Sequence, residues 1–305
     1  MELDVAHFID VGPSAVNGDA LHFSVVDAFC KTVQTAVQKR PTTLVVICPQ
    51  DDTFSSLRNA ILLFGSYLLL CHHKTSEDVV ENLTDSSQDM INQEWLYQMG
   101  IVDVWSALEH AKSLNWLAAP DCADEPALEI DVAAHYALPA NGGLHIVVPD
   151  KLLLFPAPAP LPAGRSWADA STADGAPRRR FGAAFLAELL AELGVSAVVC
   201  LGQTGRSDAA AFRRCGLDVH DLGLDPRRPA LLGAMDRLLA LARAAPGAVA
   251  VCGWGGDDWG AGQERLRALG AAWLMTEGGF GSGAAEAWVG MACAAPAAAG
   301  LVAEE

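Results

Sequence analysis

Between Phe181 and Met275, short, mostly apolar runs alternate with longer amphipathic segments, and glycines stand at the joins. Phe181 to Leu193 has helical spacing and stops at Gly194, 195-VSAVVCL-201 is apolar, and Ser207 to Cys215 is helical and stops at Gly216. Asp218 to Leu222 is a short strand, Pro229 to Ala245 a helix, Ala248 to Cys252 again an apolar strand, and Gly262 to Met275 a helix. A strand apolar on both faces, as in 248-AVAVC-252, must be covered on both, and short strand-helix-strand connections make neighbouring strands parallel. The glycines suit the left-handed residue that ends many helices. The pattern predicts an α/β fold built on a mainly parallel sheet flanked by helices.

The first half carries the same alternation in a looser form. Thr43 to Cys48 is a β-branched run between Pro41 and Pro49, Ser56 to Cys71 has the length and composition of a helix, and Thr75-Ser76-Glu77-Asp78 reads as a capped helix start with acidic residues at the positive end of the dipole. Gln93 to Leu117 is expected to be helical. A second unit begins near residue 145, where Ile146 to Pro149 and Leu152 to Phe155 flank a tight Pro149-Asp150 turn. The stretch 156–180 is rich in Pro, Ala, Ser and Gly and is expected to be an extended linker. Two tandem domains follow, 1–140 and 141–305, each a sheet flanked by helices.

Composition narrows the partners. A chain of 305 residues with 51% apolar residues has material for two cores, and a net charge of −17 argues against nucleic acid and anionic membranes while favouring proteins with basic surfaces. The N-terminus lacks the cationic and apolar segments of a secretory signal, and the longest apolar run, Ala60 to Cys71, is too short to span a bilayer. Eight cysteines occur with no C-x-x-C pair and no His at metal spacing. They read as small hydrophobes in a reducing, cytoplasmic compartment, with neither metal nor cofactor. His72-His73 is the sole His pair, and adjacent helical residues point apart.

The most informative loop is 247-GAVAVCGWGGDDWGAG-262. It begins as a buried strand entering a glycine-rich phosphate cradle, yet Asp257 and Asp258 stand where a cation is needed. Segment order across most of the chain resembles the Cdc14-type dual-specificity protein phosphatases, members of the cysteine-phosphatase superfamily with two phosphatase-like domains in tandem. The resemblance runs through 10-DVGP-13, 44-LVVIC-48, 58-RNAILLFGSYLLL-70, 147-VVPDKLLLFPAP-158, 195-VSAVVCL-201, 215-CGLDVHDL-222 and 247-GAVAV-251.

That family's active loop follows its strand with His-Cys-x-x-Gly-x-x-Arg-Thr-Gly. The Cys attacks phosphorus, the Arg and backbone N–H groups hold the phosphoryl oxygens, and an Asp on another loop protonates the leaving group. Ungapped alignment puts Cys252 at the His, Gly253 at the nucleophile and Trp259 at the Arg. A one-residue slip makes Cys252 the nucleophile but puts Asp258 at the Arg, so neither alignment supplies the cation. In 221-DLGLDPRRPALL-232, Pro226 falls at the general acid, with Asp225 one residue away. In the first half Arg58 lies ten residues beyond Cys48, and Asp51-Asp52 adjoin it, so no second active loop is expected there.

The resemblance implies a protein that keeps the fold and lacks the chemistry: an inactive scaffold or structural subunit. Such phosphatase-like subunits occur in cytoskeletal and ciliary assemblies, although no residue here specifies that location. The alternatives are a residual phosphatase using Cys252 with Asp225 or Asp258, and a dissociable regulatory subunit of an active phosphatase. Trp254 and Trp259 either anchor an interface or fill the emptied pocket. Asp257 and Asp258 are expected to raise the Cys252 pKa. Gly278 to Gly283 reads as a flexible turn, Arg178 to Arg180 as a solvated linker end, and Trp288 as part of an apolar helix packed against other proteins.

Overall fold

The structure, a computed structural model, describes residues 6–11, 20–39, 44–49, 54–86, 96, 100–117, 125–162, 164–171, 177–202, 206–224, 231–253, 259–294, 296 and 302–304. In chain order the elements are β1 (Ala6–Val11), α1 (Phe23–Lys39), β2 (Leu44–Pro49), α2 (Phe54–Cys71), α3 (Ser76–Ser86), α4 (Ile101–Ser113), α5 (Ile130–Ala137), β3 (His145–Val148), β4 (Leu152–Phe155), β5 (Trp167–Ser171) and β6 (Pro177–Phe181). There follow α6 (Ala183–Glu192), β7 (Val195–Cys200), α7 (Arg206–Arg214), β8 (Asp218–Asp221), α8 (Leu231–Ala244), β9 (Ala248–Cys252), α9 (Trp259–Glu277), α10 (Ser282–Ala292) and β10 (Val302–Glu304). They form two compact units: Met1–Asp131 together with Phe280–Glu305, and Val132–Gly279.

The second unit is built on a five-stranded sheet of order β3-β4-β9-β7-β8. Only β3 runs antiparallel; β4, β9, β7 and β8 are parallel, as the apolar strand runs predict. The β3-β4 hairpin turns through Asp150 at φ 57°, a conformation Asp tolerates better than most residues. Leu153, Phe155, Val198, Cys200, Ala250 and Cys252 form one buried cluster with α6 and α7. The alternate residues Leu152, Leu154, Val199, Val249 and Val251 are also buried; α8 packs on β9 and α9 on β4. Burying one valine side chain contributes roughly 1.5–3 kcal/mol, so a strand apolar on both faces is held chiefly by its place in the sandwich. Gly194 and Gly216, at φ 72° and 80°, end α6 and α7 where the sequence predicts helix stops.

In the first unit β1 pairs with β2 in parallel and with β10 antiparallel. Alongside, α2 packs on α1 and α4, and α4 packs on α10. Trp105 of α4 is fully buried and its indole N–H donates to the Leu62 carbonyl of α2 at 3.1 Å. The two helices approach so closely because position 65 is glycine; a Cβ there would fall inside the Trp105 ring. The cap of α3 forms as its sequence predicts: the Asp78 N–H donates to Thr75 Oγ1 at 3.1 Å and the Thr75 N–H to Asp78 Oδ2 at 3.0 Å.

Of the helices expected over 93–117, the described residues include helical Leu96 and α4 at Ile101–Ser113, with Gly100 between them at φ 63°, outside the helical region. Four expectations are corrected. The stretch 156–180 is not simply a linker: β5 and β6 pair antiparallel, and the Arg179 guanidinium both donates to Asp169 at 2.9 Å and stacks on Trp167 at 5.6 Å. Arg178 to Arg180 are therefore partly buried strand residues, not a solvated end. Within 278–283, Phe280 is buried against Trp116 and His110, so the segment is anchored. Trp288 faces no partner protein: it is fully buried among Phe23, Trp116 and Phe280, with ring centroids 5.5–6.3 Å apart.

These contacts set two expectations for chemical denaturation followed by fluorescence. Gly65→Ala should destabilise the first unit by about 1–3 kcal/mol, the usual cost of overpacking. Trp288→Ala should cost about 3–5 kcal/mol.

Candidate functional site

Open parallel sheets bind ligands beyond the carboxyl ends of their strands. In the second unit four such ends stand in one register row: Phe155 of β4 opposite Cys252 of β9, Cys252 opposite Cys200 of β7, and Cys200 opposite Asp221 of β8. Backbone bonds extend this rim by one residue. The Leu201 N–H donates to the Cys252 carbonyl at 3.1 Å and the Leu222 N–H to the Cys200 carbonyl at 2.8 Å. At the β8 end, Arg237 of α8 donates from both terminal nitrogens, to the Leu222 and Asp221 carbonyls, each at 3.1 Å.

Cys252 is the last residue of β9 and is buried, with its side chain on the α6-α7 face. Its thiol lies 2.9 Å from the Cys200 sulfur, and both cysteines are reduced. Phe155 and Phe212 close over the same cluster, edge to face at 6.5 Å. The Cys252 pKa is pushed well above its ordinary value, first by the hydrogen bond with Cys200, then by complete burial, then by negative charge on Cys200 and Asp221. The direction matches the sequence expectation, and among the described residues Cys200, burial and Asp221 account for it. Asp257 and Asp258 lie outside the described residues.

Gly253 follows the strand directly and is buried. Trp259 is the first residue of α9. Trp254, Asp225 and Pro226 lie outside the described residues. The structure thus brings Cys252 together with Cys200, a contact that sequence reasoning missed. A signal for it was present, since VSAVVC and AVAVC are apolar strands that both end in Cys. In the first unit, Arg58 sits partly buried on α2, where burial holds its guanidinium below the usual arginine range. Among the described residues no group of three or more His, Cys, Asp or Glu is placed to hold a metal ion, and no helix is long and apolar enough to cross a membrane.

No family model and no curated protein matches the chain. Solved structures of TpbA from P. aeruginosa are similar to part of it. A Cys-to-Ser variant in complex with pTyr matches with a TM-score of 0.28 and 20% identity, over 42% of this chain and 80% of that one. A second TpbA structure matches with a TM-score of 0.23 and 24% identity, over 42% of this chain and 91% of that one.

Nucleophilic thiols are thiolates at working pH, which a raised pKa prevents. In the folded protein, iodoacetamide labelling of Cys252, read by mass spectrometry of peptides, should stay negligible from pH 7 to 9. In denaturant it should proceed at the rate of an ordinary thiol.

Proposed function

We infer that the chain is a catalytically inactive, phosphatase-like protein acting as a scaffold or structural subunit of a protein assembly. The observation that carries this reading is where β9 ends. Cys252 is the terminal strand residue, buried against Cys200, and the first residue beyond it, the position of the nucleophile in the ungapped Cdc14-type alignment, is Gly253. Glycine has no side chain to bond phosphorus. At the position of the phosphate-binding Arg, the start of α9, stands Trp259.

Magnitudes separate weak activity from none. Loss of a covalent nucleophile typically costs on the order of 10⁴–10⁶ in turnover. Loss of a cation aimed at the developing charge removes about 3–4 kcal/mol more. Carboxylates in its place repel a dianion by about 1–4 kcal/mol per charge pair at contact. The alternative of a residual phosphatase using Cys252 with Asp225 or Asp258 requires an accessible thiolate, which complete burial and the neighbouring Asp221 oppose. A dissociable regulatory subunit differs from a scaffold only in the lifetime of its complexes. The proposed partners are proteins with basic surfaces, matching the net charge of −17, and the proposed setting is cytoplasmic, within cytoskeletal or ciliary assemblies.

An aryl phosphate assay on the purified chain tests the reading. Turnover should not exceed that of buffer, and Cys252→Ser should change nothing; turnover that this substitution abolishes would refute the proposal. Tungstate added to the protein should leave its thermal unfolding unmoved, since the ungapped alignment puts Trp259 where the family has its phosphate-binding Arg.

A further inference from the structure

The first unit holds a second pair of thiols, in surroundings unlike those of Cys252. Cys30 of α1 and Cys71, the last residue of α2, share a hydrogen bond and line one cavity of about 120 Å³, together with Asp27, Lys31, Gln34 and Leu70. Both are reduced; Cys30 is buried and Cys71 half-exposed. A cavity of this size admits several waters, so water reaches the pair.

The C-terminal end of a helix ordinarily disfavours an anion, because its free carbonyls gather negative charge. Here that charge is met by Lys112 of α4, whose ammonium donates to the carbonyls of Leu69 and Leu70 at 2.8 and 3.2 Å, immediately before Cys71. The Cys71 thiol is lowered from its ordinary value, first by the hydrogen bond from Cys30 and further by Lys112, against opposition from burial and Asp27. Cys30 moves far upward, because it gives its proton to that bond and because it is buried. Among the described residues, the charged and titratable groups around the pair include Asp27 and Lys31 of α1, joined at 2.7 Å, with Asp131 acting on Lys31, Tyr67 of α2 with His72 against its ring at 4.9 Å, and Lys112. A partly exposed sulfur beside a cation, with a second thiol in contact behind it, is the arrangement of an attacking and a resolving cysteine.

We propose that Cys71 and Cys30 form a redox-active dithiol that reacts with low-molecular-weight disulfides and closes into a disulfide joining α1 to α2. In the first step the Cys71 thiolate attacks one sulfur of R–S–S–R, a Cys71–S–S–R bond forms, and R–S⁻ leaves and takes a proton from water. With Cys71 held in the mixed disulfide, the bond to its thiolate that raised Cys30 most is gone, and Cys30 loses its proton as it attacks the Cys71 sulfur. The mixed disulfide breaks, the second R–S⁻ leaves with the proton Cys30 gives up, and the Cys30–Cys71 bond forms. The two protein thiols are oxidised by two electrons, and R–S–S–R is reduced to two R–SH. Cys200 and Cys252 also share a hydrogen bond but are both buried, with Asp221 near them, and they do not enter this chemistry.

The test uses the full chain, reduced and then exposed to oxidised glutathione under native conditions, with timed acid quenching and peptide mass spectrometry. The expected course is a transient glutathione adduct on Cys71, replaced by a Cys30–Cys71 disulfide. Cys30→Ser should trap the adduct on Cys71, and Cys71→Ser should leave Cys30 unmodified. Alkylation of Cys71 in the native protein should run at least about tenfold faster than that of Cys252, a difference of one pKa unit in thiolate content. Lys112→Gln should shift the pH profile of Cys71 alkylation upward, and Lys112→Arg should restore it. A stable adduct on Cys71 in the unmutated protein, with Cys30 still a thiol, would overturn the proposal, as would Cys71 reacting no faster than Cys252. The decisive measurements are made on the unmutated protein and do not depend on any variant folding.

Discussion

The burial of β9 on both faces is the constraint on which the second unit rests. All five of its residues are buried, and it lies between β4 and β7, parallel to both. A one-residue slip in its pairing would exchange every side chain between the two helical layers, so its register is tightly specified. That register decides where the strand stops and which residue first leaves it. Cys252 therefore belongs to the core and Gly253 to the exit, and the functional proposal follows from this partition.

Two pairs of touching cysteines show how surroundings rather than contact determine what a thiol does. Cys200 and Cys252 sit across neighbouring parallel strands, enclosed by Phe155 and Phe212, with Asp221 as the nearby charge. Desolvation and a carboxylate both penalise an anion there, and the thiols remain small apolar groups. Cys30 and Cys71 sit across two helices at a cavity, with one sulfur half-exposed and an ammonium anchored to the helix end beside it. Solvent and cation favour the anion on Cys71, and the buried Cys30 keeps the proton.

The first unit is organised by aromatic packing that spans the chain. Trp288 of α10 stacks with Phe23 near the start and packs tilted against Trp116 and Phe280, while Trp105 fills the groove left by Gly65. Large rings contribute more buried area per residue than any other side chain, so a few of them hold together helices that are far apart in sequence. Helix α10 and strand β10 thus join the first unit although they follow the whole of the second.

What the amino-acid sequence determined by itself is local. The apolar runs VSAVVC and AVAVC specify strands buried on both faces, Gly194 and Gly216 specify helix ends, Pro149-Asp150 specifies a hairpin, and Thr75 with Asp78 specifies a cap, because each depends on residues within one or two turns of chain. That Gly253 follows the β9 strand and Trp259 falls at the aligned Arg position was likewise legible as spacing. Only the tertiary structure decided which elements meet: β10 on β1, β5 on β6 within a stretch that composition marks as a linker, Trp288 inside rather than outside, and Cys71 against Cys30 beneath Lys112. Such pairings join residues up to hundreds of positions apart, and periodicity along the chain carries no record of them, since an apolar face states that it must be covered without stating by what.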